Sequence, residues 1–122
     1  MLLASQSGNA LEFTQGDDIT LQLIATDDQN NPINLTGAAL STQVLGPNGD
    51  GVVTFPNGQH TLANQSTNPG QFALALGNAG ADTTSCGEGE AKQIYTTAVI
   101  AGVSTTYRGV NILTVYPPSP AQ

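Results

Sequence analysis

Apolar residues in this chain recur at every second position, in short runs, and never hold the spacing of an amphipathic helix. In ITLQLIAT, Ile19, Leu21, Leu23 and Ala25 share one face while Thr20, Gln22 and Thr26 share the other. A strand with one buried side imposes that alternation, because successive side chains leave a pleated backbone on opposite faces. Ile24 interrupts the polar face and so marks an edge or a contact. Further runs read the same way: LEF at Leu11 to Phe13, AALSTQVL from Ala38 to Leu45, and GVVTF ending at Phe55. They continue with QFALAL, where Phe72, Leu74 and Leu76 face inward, then IYTTAVIA from Ile94 to Ala101 and VSTTYRGVNILTV from Val103 to Val115.

Turn signals separate these runs. GPNGDG, FPNGQH, STNPGQ and IAGVS carry the Gly, Pro and Asn that punctuate strands, and Gly51, Gly58 and Gly70 fall within turns. AGV at Ala101 to Val103 is short enough for a tight hairpin. In DDQNNP the Asp and Asn side chains can bond their own backbone, and Pro32 fixes one φ angle. The one helix candidate is a single turn around AGADTTS, with Asp82 or Thr83 as its cap. The pattern predicts an all-β fold, a single antiparallel β-sandwich or barrel of about seven or eight strands.

A chain of 122 residues is one domain, large enough to enclose a core without staples. We divide it into an N-terminal arm (1–9), a β-sandwich domain (10–116) and a Pro-rich tail (117–122). Pro117, Pro118 and Pro120 remove ladder donors and favour an extended polyproline-like conformation in that tail. Leu2 and Leu3 at one end, Tyr116, Pro117 and Pro118 at the other, and Ile24 on the strand are the residues expected to contact other proteins.

Charge narrows the function. Only 9% of residues are charged, and Lys92 and Arg108 stand against nine acidic residues for a net charge of -7. Nucleic-acid backbones are held by clusters of Lys and Arg, and anionic membranes attract the same clusters, so neither partner is expected. The polar surface is made from Thr, Asn, Gln, Ser and Gly, whose burial at an interface costs less than burying ions. A composition of that kind suits assembly against other proteins.

No catalytic constellation is legible. His60 is the one histidine and sits in the turn-rich FPNGQH, where an exposed loop residue is expected; no G-x-S-x-G, Cys-His pair or phosphate loop follows a strand. Cys86 is alone, so no internal disulfide forms, and TTSCGEGE offers no neighbouring cation or histidine to activate the thiol. DDQNNP concentrates oxygen ligands, yet Asp28 and Asn30 match just two positions of a calcium loop and Pro32 stands where a ligand belongs. Asp17 and Asp18 read as caps of the turn entering Ile19, and the sequons at Asn34 and Asn64 as chance matches. MLLASQSGN lacks a positive n-region, and no 18-residue apolar stretch is present; synthesis in a cytoplasm is expected, with no cofactor and no metal.

The triplet Gln15, Gly16 and Asp17, the strand Ile19 to Ala25, and a turn with Pro32 closed by Ile33, Leu35, Thr36 and Gly37 carry a family resemblance. Together they resemble an immunoglobulin-like β-sandwich widespread in tailed bacteriophage virions, especially in baseplate and tail-fibre attachment domains. NPGQFALAL resembles that family's strand entered from a Pro-Gly turn, and IYTTAVIAGV with YRGVNILTV its closing hairpin; the resemblance spans most of 10–116. The chain departs from it at Tyr95 to Ala98, where the family often carries an aromatic-Asp-aliphatic triplet, and in the added GNAGADTTSCGEGEA. What the resemblance implies is a non-enzymatic structural protein whose partners are the major capsid protein or other virion proteins. With no shaft or receptor-binding module after the last strand, we expect a capsid cement or decoration protein on the outer shell, assembled as a homo-dimer or homo-trimer at local axes. A baseplate or tail-fibre adaptor is the alternative within the virion, and a calcium- or carbohydrate-binding β-module the alternative outside it.

Overall fold

The computed structural model describes residues 2–4, 11–29, 31–46, 48 and 51–117, with backbone alone for 2–4 and 110–112. The fold is all-β apart from short helical turns, and its strands form two sheets. In chain order the strands are β1 (Leu2–Ala4), β2 (Leu11–Thr14), β3 (Ile19–Ala25), β4 (Ala39–Leu45) and β5 (Val53–Phe55). After a 3-10 turn at Asn57–Gln59 come β6 (His60–Leu62), β7 (Gln71–Leu76), the helical turn α1 (Ala81–Ser85), β8 (Gly89–Ile100) and β9 (Val103–Tyr116). The first sheet runs β1-β3-β7-β6 and the second β2-β9-β8-β4-β5.

The period-two runs pack as their spacing requires. Leu21, Leu23 and Ala25 of β3 are buried, as are Phe72, Leu74 and Leu76 of β7, while Leu40 and Val44 of β4 and Ile94 of β8 close the same cluster from the second sheet. Side chains of this size, fully withdrawn from water, each cost roughly 2–5 kcal/mol when cut back to Ala. The core therefore lies between the two sheets, and both sheets contribute to it.

Three features differ from the sequence reading. Nine strands are present among the described residues instead of seven or eight, because Leu2–Ala4 and His60–Leu62 each pair over three residues, too short to show a period. Leu2–Ala4, within the expected N-terminal arm, forms a strand antiparallel to the end of β3, with Leu2 opposite Ala25 and Leu3 opposite Ile24. The pairing is not wholly antiparallel either, since β2 runs parallel to the end of β9, Leu11 opposite Leu113 through Thr14 opposite Tyr116. Strands close in sequence turn back on each other through hairpins, but β2 and β9 lie far apart in the chain, so no turn dictates their relative direction.

The β8–β9 hairpin is the longest unit. Ile100 pairs with Val103 across a two-residue turn in which Ala101 and Gly102 have φ of 50° and 80°, the doubly left-handed turn whose twist suits a hairpin. The ladder is regular from that turn to Ile94 opposite Gly109. Beyond it the register shifts twice, between Lys92 and Ile94 and between Gly89 and Lys92, and Ala91 adopts a φ of 55°.

Candidate interaction surface

The QGD triplet has a structural task. It forms the turn between β2 and β3, closed by Asp17 N–H on the Thr14 carbonyl, and that turn docks on α1. Gly16 N–H donates to Thr83 Oγ1 at 3.0 Å, Thr83 Oγ1 donates to the Asp17 carbonyl at 2.8 Å, and Gln15 Nε2 donates to the Thr84 carbonyl at 2.9 Å. Asp18 Oδ1 accepts from Gly80 N–H at 2.7 Å, so this carboxylate caps a distant turn and not the strand it precedes. Asn78, Ala79 and Gly80 are left-handed in succession, with φ of 60°, 54° and 83°. A Cβ on Gly80 would lie 2.3 Å from the Gly16 carbonyl oxygen, which leaves no room for a side chain.

The N-cap of α1 is Gly80, without a side-chain bond, so neither Asp82 nor Thr83 caps the turn as expected. Asp82 reaches back instead, accepting from Gly77 N–H at 3.0 Å and from Gln59 Nε2 at 2.9 Å. Gln59, Asp82, Gly58, Ala75, Gly77 and Asn78 line an open depression of about 420 Å³. Its most reactive group, the Asp82 carboxylate, is already engaged by these two donors.

His60 is not an exposed loop residue. It opens β6, is half-buried, and links the sheets: its Nε2 lies 2.7 Å from Thr42 Oγ1, which lies 2.9 Å from Thr96 Oγ1. Its Nδ1 lies 2.9 Å from the Pro56 carbonyl, which can only accept. Nδ1 therefore carries a proton, and in the neutral ring Nε2 accepts from Thr42. Burial lowers the His60 pKa from its ordinary value of 6.5. A hydroxyl bonded to a histidine has the outline of an activated nucleophile, but Thr42 and Thr96 are completely buried and a substrate has no path to them. The chain of bonds holds β4, β6 and β8 together.

Gln65 performs a similar task, with nothing in its neighbourhood along the chain to announce it. It is buried, and its Oε1 accepts from Leu35 N–H at 2.9 Å and Gly70 N–H at 2.8 Å, while Nε2 donates to the Ala63 and Gln71 carbonyls at 2.9 and 3.0 Å. One amide thus satisfies four backbone groups and ties the 63–71 loop to the segment leaving β3. The NPG turn meets that segment directly, since a Cβ on Gly70 would stand 2.5 Å from the Ala25 carbonyl oxygen.

Cys86 is buried, and burial first of all pushes its thiol up to about 12, against the opposing pull of Lys92. That lysine is the nearby cation that local sequence did not reveal, and it is itself buried, so Arg108 is the exposed cation of the chain. In DDQNNP, Asp27 Oδ1 accepts from Gln29 N–H and Asn31 N–H at 2.8 and 2.9 Å. These backbone bonds, that from Asn31 foremost, hold the Asp27 carboxyl below its ordinary value, and the segment is a self-closed turn. Among the described residues no group of three or more His, Cys, Asp or Glu is placed to hold a metal ion, and no helix is long and apolar enough to cross a membrane.

The expected contact residues fall at opposite ends of the body. Leu2, Leu3 and half-buried Ile24 meet on the β1–β3 ladder, where β3 finishes. Tyr116 and Pro117 are exposed where β3 begins, with the Tyr116 carbonyl accepting from Gln15 N–H, and Pro118 lies outside the described residues. The outer face of the second sheet is weakly ionic: Arg108 lies 5.9 Å over the Tyr95 ring, Tyr95 bonds Gln93, and Thr97 bonds Thr106. Val99 and Val103 are exposed at the end of the β8–β9 hairpin, and every residue from Ala101 to Thr106 is exposed. Comparison with protein-family models and with curated proteins finds no match to this chain.

Proposed function

We propose that this chain is a non-enzymatic structural protein of a tailed-phage particle, a cement or decoration protein that binds the outer shell and bridges major capsid subunits. The observation that carries the reading is the strand arrangement. We read the orders β1-β3-β7-β6 and β9-β8-β4 as counterparts of the ABED and GFC sheets of an immunoglobulin-like sandwich, with β5 in the place of C′. The residues behind the family resemblance stand at the joints of this arrangement, Gly16 against Gly80 and the NPG turn against Ala25. They bear on architecture, and the chemistry around them is that of hydrogen-bonded turns.

The polar groups best placed for reactivity support the same reading. Thr42 is sealed in the core, Cys86 is buried with a raised pKa, and Asp82 is bonded to its own loop. On the outer face of the β8–β9 ladder Thr97, Thr106, Tyr95 and Gln93 surround one exposed cation, Arg108, while the carboxylates Asp17, Asp18, Asp28 and Glu88 are exposed in turns outside the strands; a ladder face of that kind lies against protein at low desolvation cost.

Decoration stabilises a shell by mass action, because bound copies lower the free energy of the assembled state alone and many identical sites multiply a modest affinity. Particles carrying the protein should therefore release DNA at a higher temperature than particles stripped of it, with restoration on adding the purified chain back. Identical release temperatures would remove the reading.

A further inference from the structure

We infer that His60, Thr42 and Thr96 form an acid-released latch between the two sheets: a proton taken up by the imidazole overfills their chain of hydrogen bonds and frees the edge strand β6 together with the turn before it. The chain has two links, His60 Nε2 to Thr42 Oγ1 at 2.7 Å and Thr42 Oγ1 to Thr96 Oγ1 at 2.9 Å. With a neutral ring the protons match the links, because Thr42 donates to Nε2 and Thr96 donates to Thr42. A second ring proton sets three donors, Nε2–H and two hydroxyls, on the same two links. Whichever way the hydroxyls turn, one proton is left without an acceptor in the chain, and Thr42 and Thr96 are both completely buried. A buried donor left unmet is costly; opening the latch lets water meet it.

Among the described residues, nothing around the ring offsets the new charge. The strands β4, β5, β6 and β7 carry no other titratable side chain, and neither does the turn from Pro56 to Gln59. On β8, Thr96 faces the ring, Tyr95 lies on the outer face beneath Arg108, and Lys92 Nζ lies beside Gly87 and Gly89. Asp82 is reached through Gln59, and its Oδ2 is already held by Gln59 Nε2 and Gly77 N–H. The apolar Phe72 of β7 sits beside the imidazole, with ring centroids 6.0 Å apart. The segment that yields is lightly held. β6 pairs with β7 over three residues at the edge of its sheet, and the turn before it is tied to β4 by Asn57 Oδ1, which accepts from Leu40 N–H at 2.8 Å. Short edges of this kind open locally at a cost well below that of global unfolding.

The experiment is nuclear magnetic resonance on the full chain between about pH 7.5 and pH 5, where histidine titrates and carboxylates remain ionised. His60 is the single histidine, so one imidazole resonance reports its protonation. Burial lowers its pKa from 6.5 in the closed form, so closure is fully favoured above that value and is lost as pH falls through it. The ratio of open to closed segments should rise by up to roughly tenfold for each pH unit. Hydrogen-exchange protection of the Leu40 and Ala63 amides, bonded to Asn57 Oδ1 and the Gln71 carbonyl, should fall accordingly. Protection of the Ala25 and Ile33 amides, bonded to the Gly70 and Ala25 carbonyls, should hold. His60→Gln offers Thr42 an acceptor that takes up no proton and should abolish the pH dependence. Independently of how that variant folds, loss of protection in the unaltered chain must track the imidazole resonance. Protection that stays flat across the titration, that falls equally at Ala25 and Ile33, or that keeps its pH dependence in His60→Gln would overturn the inference.

Discussion

Gly80→Ala is the sharpest probe of how the chain closes one end of its body. Two penalties combine there. The first is conformational: at a φ of 83° an L side chain costs roughly 1–2 kcal/mol. Gly37 shares that penalty almost alone, with a φ of 78° and no atom within 4 Å of where a Cβ would stand. The second belongs to Gly80 only. Its Cβ would stand 2.3, 2.8 and 2.9 Å from the Gly16 carbonyl oxygen, carbonyl carbon and Cα, all backbone atoms that cannot rotate aside. The β2–β3 turn must retreat, and with it go the bonds joining Gly16 to Thr83, Thr83 to Asp17, Gly80 to Asp18 and Gln15 to Thr84. At about 1 kcal/mol per bond, losing two to four of them places Gly80→Ala about 2–4 kcal/mol below Gly37→Ala. Urea unfolding of both variants followed by far-ultraviolet circular dichroism measures the difference. Equal stabilities would show that the turn and α1 do not bear on each other, and the reasoning would fail.

Other outcomes follow from the same contacts. Gln65→Leu strands the Leu35 and Gly70 N–H groups and the Ala63 and Gln71 carbonyls, and should lower unfolding free energy by about 3–5 kcal/mol in a urea titration. Because burial lowers the His60 pKa in the folded state, the unfolded chain binds the proton more readily. Stability is thus fully present above the ordinary value of 6.5 and is lost as pH falls through it; His60→Gln should flatten the stability profile between neutrality and mild acid, where carboxylates have not begun to titrate. Ala101→Asn replaces a strained residue at a φ of 50° with one that tolerates it, and should raise stability by roughly 0.5–1 kcal/mol in a melting experiment.

The parts of this fold that were legible in the sequence are those written locally. The alternation in β3 and β7, the self-bonded Asp27 turn and the Ala101–Gly102 hairpin all depend on residues a few positions apart. The helical turn at Ala81–Ser85 was also legible, but its cap was not, because the carboxylate that meets Gly80 comes from Asp18. Long-range partners explain the other misses. Nothing near His60 announces Thr42 and Thr96, and nothing near Gln65 announces Leu35. Strands of three residues carry no period, so β1 and β6 are defined by the neighbours they pair with.

The proposed decoration role requires the chain to lie on the outside of a viral head. Reconstruction of the particle by cryo-electron microscopy, with and without the chain, tests it directly. Repeated density on the outer shell that fits the two sheets and disappears when the chain is removed is the expected result; density confined to the tail, to the shell interior, or unchanged by removal would contradict it.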